Sequence, residues 1–278
     1  MKKIIIISII IFITIDSNSQ CFIGYSESER IQTGTEQRKL QGDVKSTKYT
    51  TYEVSKKFGE IIYENVICSE KQFFDKTGFL TKDISYFKNG NISSIDVSKY
   101  ENKRLIKTNH YNEDGKLVAE TFFKQSKDTI RKQRVIGNGK LNNQWFIYIY
   151  NNKNQITEEI WLENKSANVS KYRIQYDKKE RKISRSSENI ITYYKYFKNE
   201  KLPYAQHTVD LNKGKNTSII IFEYDKYGNL TKKINNDYFN MIWEYEYDNI
   251  GNWIKKTYYT INTKSPIHVE KREIKYYN

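Results

Sequence analysis

Hydrophobic and polar residues alternate over short segments of this chain, and polar clusters separate the segments. In "WEYEYD", Trp243, Tyr245 and Tyr247 fall on one face of an extended strand, and the acidic residues between and after them fall on the other. The segments "SIIIFEY" from Ser218 and "WFIYIY" from Trp145 are apolar on both faces, which predicts strands in the interior or in a covered position. No helical period competes with these patterns, so the sequence predicts an all-β fold.

The polar clusters between the strands repeat one turn motif. The stretch "FEYDKYGNLTKKI" recurs twenty-three residues later as "YEYDNIGNWIKKT". Asp225 and Asp248 suit the first position of a type I turn. Gly228 and Gly251, three residues further on, suit the left-handed backbone that closes a hairpin through a bulge. Each copy therefore predicts the tip of a β-hairpin.

Looser copies of the motif run back through most of the chain. Four of them keep the glycine, at Gly78, Gly90, Gly115 and Gly139. In a fifth copy Asn154 replaces it, and asparagine tolerates positive φ better than most other residues. The copies that begin at Tyr100, Tyr176 and Tyr196 depart from the motif, and we expect wider loops there.

The spacing of the copies predicts how the strands reverse. Two early intervals, from Phe74 to Tyr86 and from Tyr100 to Tyr111, are twelve and eleven residues long, which leaves room for one strand of ordinary length in each. Later intervals are about double and should hide a second reversal on the opposite edge, in the turn-forming clusters at Asn212, Asn235 and Asn262. The result is one long antiparallel meander of roughly sixteen to twenty strands, more than a flat open sheet usually carries. We therefore expect a curled or solenoid-like sheet, and the pattern does not decide whether it closes.

The turn copies also carry a family resemblance. "YDKYGNLTK" and "YDNIGNWIK" resemble the YD repeats of the RHS family, and "YFKNGNISSI" resembles the related MORN-type repeats. The resemblance covers residues 70–278 and implies a β-sheet, which in RHS proteins spirals into a hollow shell. RHS shells that carry toxins are much longer and end in a toxic domain, for which we expect no room here. The likeness implies a fold rather than a function.

The N-terminus has the pattern of a secretory signal peptide over residues 1–19. Two lysines precede an apolar run from Ile4 to Ile15, and a small-residue site ends at Ser19, which predicts cleavage before Gln20. The run is shorter than the ~20 residues of a transmembrane helix, and no later segment comes close. We predict an exported chain without a transmembrane segment. Lipidation of Cys21 is disfavoured because Gln20 replaces the small residue that a lipobox needs.

The exported chain divides into an N-terminal cap region, residues 20–69, and the repeats, residues 70–278, which together form one domain. The cap shows less repeat character, as terminal units of repeat proteins usually do. Its Cys21 and Cys68 could form one disulfide in an oxidising compartment, but the sequence does not show whether they approach each other.

Composition allows a polyanion-binding or glycan-binding surface without requiring one. The net charge is +14 and the chain has 24 tyrosines, so phosphates or acidic sugars could be attracted and bases could be stacked. Lysines scattered over strand faces also deter edge-to-edge pairing between molecules, which is the simpler interpretation. Export argues against nucleic acid as a partner.

Candidate catalytic residues are sparse. The chain has three histidines, which lie in different repeats, at His110, His207 and His268. His268 and Glu270 share a strand face and could support a metal or act as a general base, but ion pairing or simple exposure is far commoner at such spacing. No catalytic or phosphate-binding motif appears, so we predict no enzymatic activity, cofactor or metal.

Tryptophans are the best candidates for a ligand platform, because exposed aromatic rings on a rigid sheet can stack on sugars. Burial in the core is the more common role of such side chains, and we predict it for all four: Trp145, Trp161, Trp243 and Trp253.

The sequence predicts an exported, non-enzymatic β-repeat protein that serves as a structural or interaction module at the cell surface or in the periplasm. The alternatives are an accessory or carrier component of an RHS-type toxin system, and a polyanion- or glycan-binding surface protein. The protein or glycan partner and the oligomeric state cannot be read from the sequence.

Overall fold

The computed structural model describes residues 40–126, 129–136, 145–162, 169–235, 238–261 and 265–278. All regular secondary structure in these ranges is β-strand, so the predicted all-β fold is confirmed. The eighteen strands are β1 (Val44–Lys57), β2 (Glu60–Phe74), β3 (Leu80–Tyr86), β4 (Ile92–Glu101), β5 (Arg104–Asn112), β6 (Leu117–Gln125), β7 (Thr129–Ile136), β8 (Trp145–Tyr150), β9 (Ile156–Leu162), β10 (Val169–Tyr176), β11 (Lys182–Ser186), β12 (Ile190–Lys195), β13 (Ala205–Asp210), β14 (Lys215–Tyr224), β15 (Leu230–Asn235), β16 (Tyr238–Tyr247), β17 (Trp253–Thr260) and β18 (Pro266–Tyr276).

The strands form one antiparallel meander, in which each strand pairs with the next along the chain. The predicted meander and the predicted range of strand number are both confirmed. In addition, β1 pairs with β2 on one side and with β18 on the other, in a register that runs from Val44 opposite Tyr276 to Glu53 opposite His268. The hydrogen-bond ladder therefore returns to its first strand, and every strand has two paired neighbours.

The registers assign side chains to two faces of the sheet. Residues opposite each other on neighbouring strands share a face, as do alternate residues along a strand. Trp243 lies opposite Tyr258 and Ile242 opposite Tyr259, so we name the two sides the Trp243 face and the Ile242 face. Following the pairs from strand to strand places Tyr49, His110 and Trp161 on the Trp243 face.

Two clusters of buried apolar residues lie beneath turns in the described part of the chain. One cluster contains Leu40, Val44 and Phe74, with Leu80 and Tyr276 packed against it. A second cluster is formed by Tyr150, Ile156 and Ile174. In both clusters the aromatic residue before a turn packs with the aliphatic residue after it, at the positions that the repeat motif specifies. The motif therefore encodes the packing as well as the reversal.

The prediction of a covered position for "SIIIFEY" is wrong. On β14 the side chains of Ile219 and Ile221 are 37% and 41% exposed. The segment pairs with β13 and β15 within the same sheet, and no second layer of described residues lies on it. Its apolar residues reflect the strand propensity of isoleucine rather than burial on both faces.

Apart from the copies that begin at Tyr100 and Tyr196, the described copies of the repeated turn have the same backbone hydrogen bonds. At one tip the Gly228 N–H donates to the Asp225 carbonyl at 3.0 Å, and the Asp225 N–H donates to the Asn229 carbonyl at 2.9 Å. The Asp225 carboxylate also accepts from the Tyr227 and Asn229 N–H groups, at 2.8 and 2.9 Å. An aspartate in this position therefore stabilises the turn through hydrogen bonds from the turn's own backbone N–H groups.

The structure places the glycines named from the motif at positive φ in chain reversals, where only glycine avoids strain. Their φ angles are 84° at Gly78, 86° at Gly90, 73° at Gly115, 79° at Gly228 and 98° at Gly251. Gly139 lies outside the described residues.

Two of the three departures from the motif do not form the wider loops that we expected. Glu180 takes the glycine position of the copy that begins at Tyr176, with φ 66° and the same bond to the Asp177 carbonyl, so that turn has ordinary width. Between β4 and β5 a two-residue turn, Asn102 and Lys103 at φ 50° and 61°, is tighter than the motif. At the copy beginning at Tyr196 the loop is wider, as predicted, and spans nine residues between Lys195 and Ala205.

Some of the features predicted for the N-terminal region fall within the described residues and others do not. The expected boundary at residues 69 and 70 falls inside β2, a strand of the same sheet. Cys68 is buried on β2 and is not a free thiol. Ser19, Gln20 and Cys21 lie outside the described residues, so cleavage, lipidation and the Cys21–Cys68 bridge stay predictions.

Tyrosine hydroxyls connect successive hairpins along one edge of the sheet. This motif edge is formed by the reversals after even-numbered strands, including residues 75–79, 151–155, 177–181, 225–229 and 248–252. Tyr245 donates to the Leu230 carbonyl at 2.9 Å, and Tyr176 donates to the Ile156 carbonyl at 2.9 Å. Tyr276 donates to the Asp248 carboxylate at 2.6 Å. Repetition of the motif therefore lets each hairpin bond to the preceding one.

Candidate functional site

A group of aromatic side chains, of which one is exposed and two are half-buried, lies on the Trp243 face across β8, β9 and β10. We call Phe146, Trp161 and Tyr172 the aromatic surface. Trp161 is 41% exposed, which is high for a side chain that usually contributes a large buried area. Its ring centroid lies 5.7 Å from that of Phe146 and 5.8 Å from that of Tyr172. The three rings form one contiguous surface.

Strand register brings these rings together. Phe146 on β8 lies directly opposite Trp161 on β9, and Tyr172 on β10 lies opposite Glu159, two residues before Trp161. Direct and diagonal cross-strand neighbours are within reach of aromatic side chains. The rings meet at 69° and 60° rather than lying flat on one another, which is the edge-to-face arrangement that aromatic pairs favour.

An arginine and a glutamate border the aromatic surface. The Arg185 guanidinium stands 3.6 Å from the centroid of the Tyr172 ring. Its Nε and Nη2 atoms donate to Glu159 Oε2 at 3.1 and 2.7 Å. The side chain of Glu159 is only 14% exposed and that of Arg185 is 29% exposed. Because the pair is partly shielded from water, it holds Tyr172 in place more firmly than a surface ion pair would.

Lys182 and Tyr194 extend this border toward β12. The Lys182 ammonium lies 5.0 Å from the centroid of the Tyr194 ring. Burial lowers the pKa of Lys182, against an opposing effect of the Glu159 carboxylate. Burial also raises the pKa of Tyr194. The border thus combines two cations, one carboxylate and a phenol on the side of the aromatic surface next to Tyr172.

The prediction of a core position fails for Trp161 and holds for Trp243, which is 8% exposed. Trp253 is half-buried, and the side chain of Trp145 lies outside the described residues. Alternation along the strands carries no signal for the difference, because both tryptophans lie on the same face of the sheet.

A second aromatic and cationic cluster joins the last strands to the first. The Arg272 guanidinium lies 3.9 Å from the Trp253 ring centroid and 5.8 Å from that of Tyr49. Arg272 Nε donates to the Trp253 carbonyl at 2.7 Å. Arg272 and Tyr49 are each only 4% exposed. This cluster is closed to a ligand, so we interpret it as packing that holds β17, β18 and β1 together.

Glu270, which we singled out with His268, is engaged by other residues. The Tyr258 hydroxyl donates to Glu270 Oε2 at 2.8 Å, and the Lys256 ammonium is 3.8 Å from the same atom. Burial, together with the nearby Glu270 carboxylate, raises the pKa of Tyr258. Burial also lowers the pKa of Lys256. His268 contributes its ring to the Tyr258 contact, at 6.5 Å between centroids. Ion pairing therefore accounts for Glu270 without a metal.

His110 lies in a chain of hydrogen bonds across three strands. Its Nδ1 is 2.8 Å from Asp96 Oδ1, and its Nε2 is 2.8 Å from Thr121 Oγ1. The order acid, imidazole, hydroxyl is that of a hydrolase triad. However, Thr121 is only 2% exposed, so a substrate could not reach its hydroxyl. We interpret the chain as a clamp between β4, β5 and β6.

The described residues contain no group of three or more histidine, cysteine, aspartate or glutamate side chains that could hold a metal ion. The third histidine, His207, stacks on Tyr193 at 4.9 Å between centroids. Within the same ranges no helix has the length and apolar character needed to cross a membrane.

Comparison with known proteins finds similarity among solved structures. No family model matches it, and no curated protein matches it. Among solved structures, a porin-like protein from Bacteroides uniformis ATCC 8492 is 10% identical over 90% of this chain and 100% of its own, with a TM-score of 0.47. A porin-like protein from Bacteroides vulgatus ATCC 8482 is 11% identical over 84% of this chain and 99% of its own, with a TM-score of 0.26.

The Photorhabdus luminescens Tc holotoxin pore with a TccC3 mutation is 12% identical over 73% of this chain, with a TM-score of 0.32. This chain spans 16% of the length of that toxin chain. Membership of the RHS family stays a prediction.

Proposed function

We propose that this protein is an exported, non-enzymatic interaction module that acts at the cell surface or in the periplasm and holds a partner on its aromatic surface. The observation that supports this proposal is the exposure of Trp161 between two other aromatic rings. Tryptophan, tyrosine and arginine are the residues most enriched at the energetic centres of binding interfaces. Trp161, Tyr172 and Arg185 supply one of each within contact distance.

The rigidity of the sheet favours binding over a purely structural role. The strands beneath the aromatic surface are paired on both sides, from β7 through β11. The Arg185–Glu159 bonds cross from β11 to β9 and fix the side chains as well as the backbone. A surface that is already ordered loses little conformational entropy when a partner binds.

Capture of partners tests this proposal. Residues 20–278 are immobilised and exposed to an envelope extract of the native organism, as wild type and as Trp161→Ala. Tyr193→Ala is the matched control, because Tyr193 is 39% exposed and lies on the Ile242 face. We expect a component that the wild type and Tyr193→Ala retain and Trp161→Ala loses. Equal capture by all three proteins would contradict the proposal.

The YD-type turns support a second proposal, an accessory or carrier role in an RHS-type toxin system. Asp225 and Gly228, and Asp248 and Gly251, form the turns on which the resemblance rests. A toxin or immunity reading frame next to this gene, whose product co-purifies with the chain, is the expected result. An isolated gene would count against it.

A polyanion-binding role is a third proposal and rests on the net charge of +14. It predicts retention on heparin that falls steeply as salt is raised. Elution at low salt would exclude it.

A further inference from the structure

We propose that the aromatic surface binds one pyranose ring of an uncharged glycan, stacked on the indole of Trp161. This inference rests on the proposed function, because it names the class of partner that the same surface takes. The apolar C–H face of a pyranose matches the face of an aromatic ring, and its hydroxyls match the planar polar groups that border the rings. The aromatic surface and its border supply both halves of that recognition.

The tilt of the rings limits the site to one sugar. Phe146 and Tyr172 stand at 69° and 60° to Trp161. A row of sugars that stacked on several rings would need those rings to be nearly coplanar. Here a single pyranose can lie flat on the indole, while the two neighbouring rings act as side walls. Affinity should therefore not grow with the length of the glycan.

The polar border can bind neighbouring hydroxyls. The contact between Glu159 and Arg185 uses Oε2, Nε and Nη2, which leaves Oε1 of the carboxylate as an acceptor and Nη1 of the guanidinium as a donor. A carboxylate acceptor and a guanidinium donor suit two sugar hydroxyls, each of which both donates and accepts. Because Arg185 and Glu159 hold each other in place before binding, the sugar hydroxyls would bind to groups that are already ordered.

The charges of the border favour an uncharged sugar. The Arg185 charge is already compensated by Glu159 at 2.7 Å. The Lys182 side chain is half-buried and packs on Tyr194, and burial lowers its pKa. A carboxylated or sulfated sugar would therefore bring a charge to a place where the arginine is paired and the lysine is half-buried.

The test uses defined sugars and the exported chain, residues 20–278. Glucose, galactose, mannose and N-acetylglucosamine, each with its linear hexasaccharide, are titrated while tryptophan fluorescence and calorimetry are recorded. We expect at least one pair to bind, with the monosaccharide within about threefold of the hexasaccharide. Trp161→Ala should weaken binding at least about tenfold, the cost of one aromatic contact. Trp161→Phe should keep part of the affinity, and Tyr193→Ala should change nothing.

Three results would overturn the inference: no binding of any of these sugars, a steep gain in affinity with chain length, and an unchanged affinity in Trp161→Ala. Binding of heparin alone, lost at high salt, would also overturn it.

Treatment of the envelope extract separates this inference from the proposed function. If the component that Trp161→Ala loses is destroyed by periodate and survives protease, the sugar inference is supported. If protease destroys it and periodate does not, the partner is a protein and only the sugar inference fails. If the wild type captures nothing that Trp161→Ala loses and binds no sugar, both proposals fail.

Discussion

Removing the carboxylate of Asp248 should destabilise the contact between the β16–β17 turn and β18. The loss of stability should exceed that of an ordinary turn substitution. Asp248 Oδ1 accepts from the N–H groups of Ile250, Gly251 and Asn252 at 3.0, 2.9 and 2.8 Å. Its Oδ2 accepts from the Tyr276 hydroxyl at 2.6 Å. Asp248→Ala therefore removes the side-chain acceptor for the N–H groups of the turn and also the hydrogen bond from Tyr276 on β18.

The magnitude follows from these bonds. A hydrogen bond to a charged group contributes about 1.5–3 kcal/mol, and the lower end applies because Asp248 is half-buried. Losing a side-chain acceptor for turn N–H groups costs about 1 kcal/mol by analogy with helix caps. The sum is about 2.5 kcal/mol, which corresponds to a fall in Tm of roughly 5–10 °C for a chain of this size.

Urea denaturation and thermal melting of Asp248→Ala, Asp248→Asn, Tyr276→Phe and the Asp248→Asn/Tyr276→Phe double variant form the assay. Asp248→Asn keeps Oδ1 as an acceptor and should lose only about 1 kcal/mol, the difference between a charged and a neutral hydrogen bond. The double variant should be less destabilised than the sum of the two single variants, because they share one bond. Additive effects, or an unchanged Tm in Asp248→Ala, would refute the reasoning.

The same bond predicts a dependence on pH. Burial alone would raise the pKa of Asp248, but hydrogen bonds from the Tyr276 hydroxyl and from backbone N–H groups lower it below its usual value. A lowered pKa in the folded state means that the carboxylate stabilises the protein above the unfolded pKa of about 3.9 and that this contribution is lost as the pH falls through the folded pKa. The stability difference between wild type and Asp248→Asn should therefore be full near pH 6 and vanish in strong acid.

The remaining predictions concern other turns and one tyrosine. Glu180→Gly should stabilise the protein by about 0.5–1 kcal/mol in urea denaturation, because Glu180 sits at φ 66° and its exposed ion pair with Lys153 contributes little; a loss of stability would contradict this. Gly115→Val should cost about 1–2 kcal/mol from backbone strain alone, since φ is 73° and a Cβ there would meet no atom within 4 Å; an unchanged urea midpoint would count against the turn assignment. Burial raises the pKa of Tyr196 to about 12. Its contribution to stability is therefore full below the unfolded pKa of about 10 and lost as the pH rises through about 12. Ultraviolet titration of Tyr196→Phe should lack one tyrosine of the late phase, and loss of an early-titrating tyrosine instead would disprove it.

The sequence was sufficient for the strands and turns because both depend on local rules. Alternation along "WEYEYD" places Trp243 and its acidic neighbours on different faces of any strand. The separation of Asp225 from Gly228 specifies a turn whose hydrogen bonds close within five residues. Local rules were misread where a residue other than glycine adopts positive φ. Glu180 does so because Asp177 and the flanking strands hold that turn, and nothing in the identity of glutamate announces it.

Alternation by itself could assign Trp161 and Trp243 to a face but could not say what covers that face. Trp243 is buried and Trp161 is exposed, although both lie on the same face of the sheet. The Arg185–Glu159 pair and the pairing of β18 with β1 are contacts between distant segments. Short-range patterns therefore determined the hairpins and their number. Only the tertiary structure decided which aromatic rings meet water and where the meander rejoins its first strand, since both depend on registers accumulated over the whole sheet.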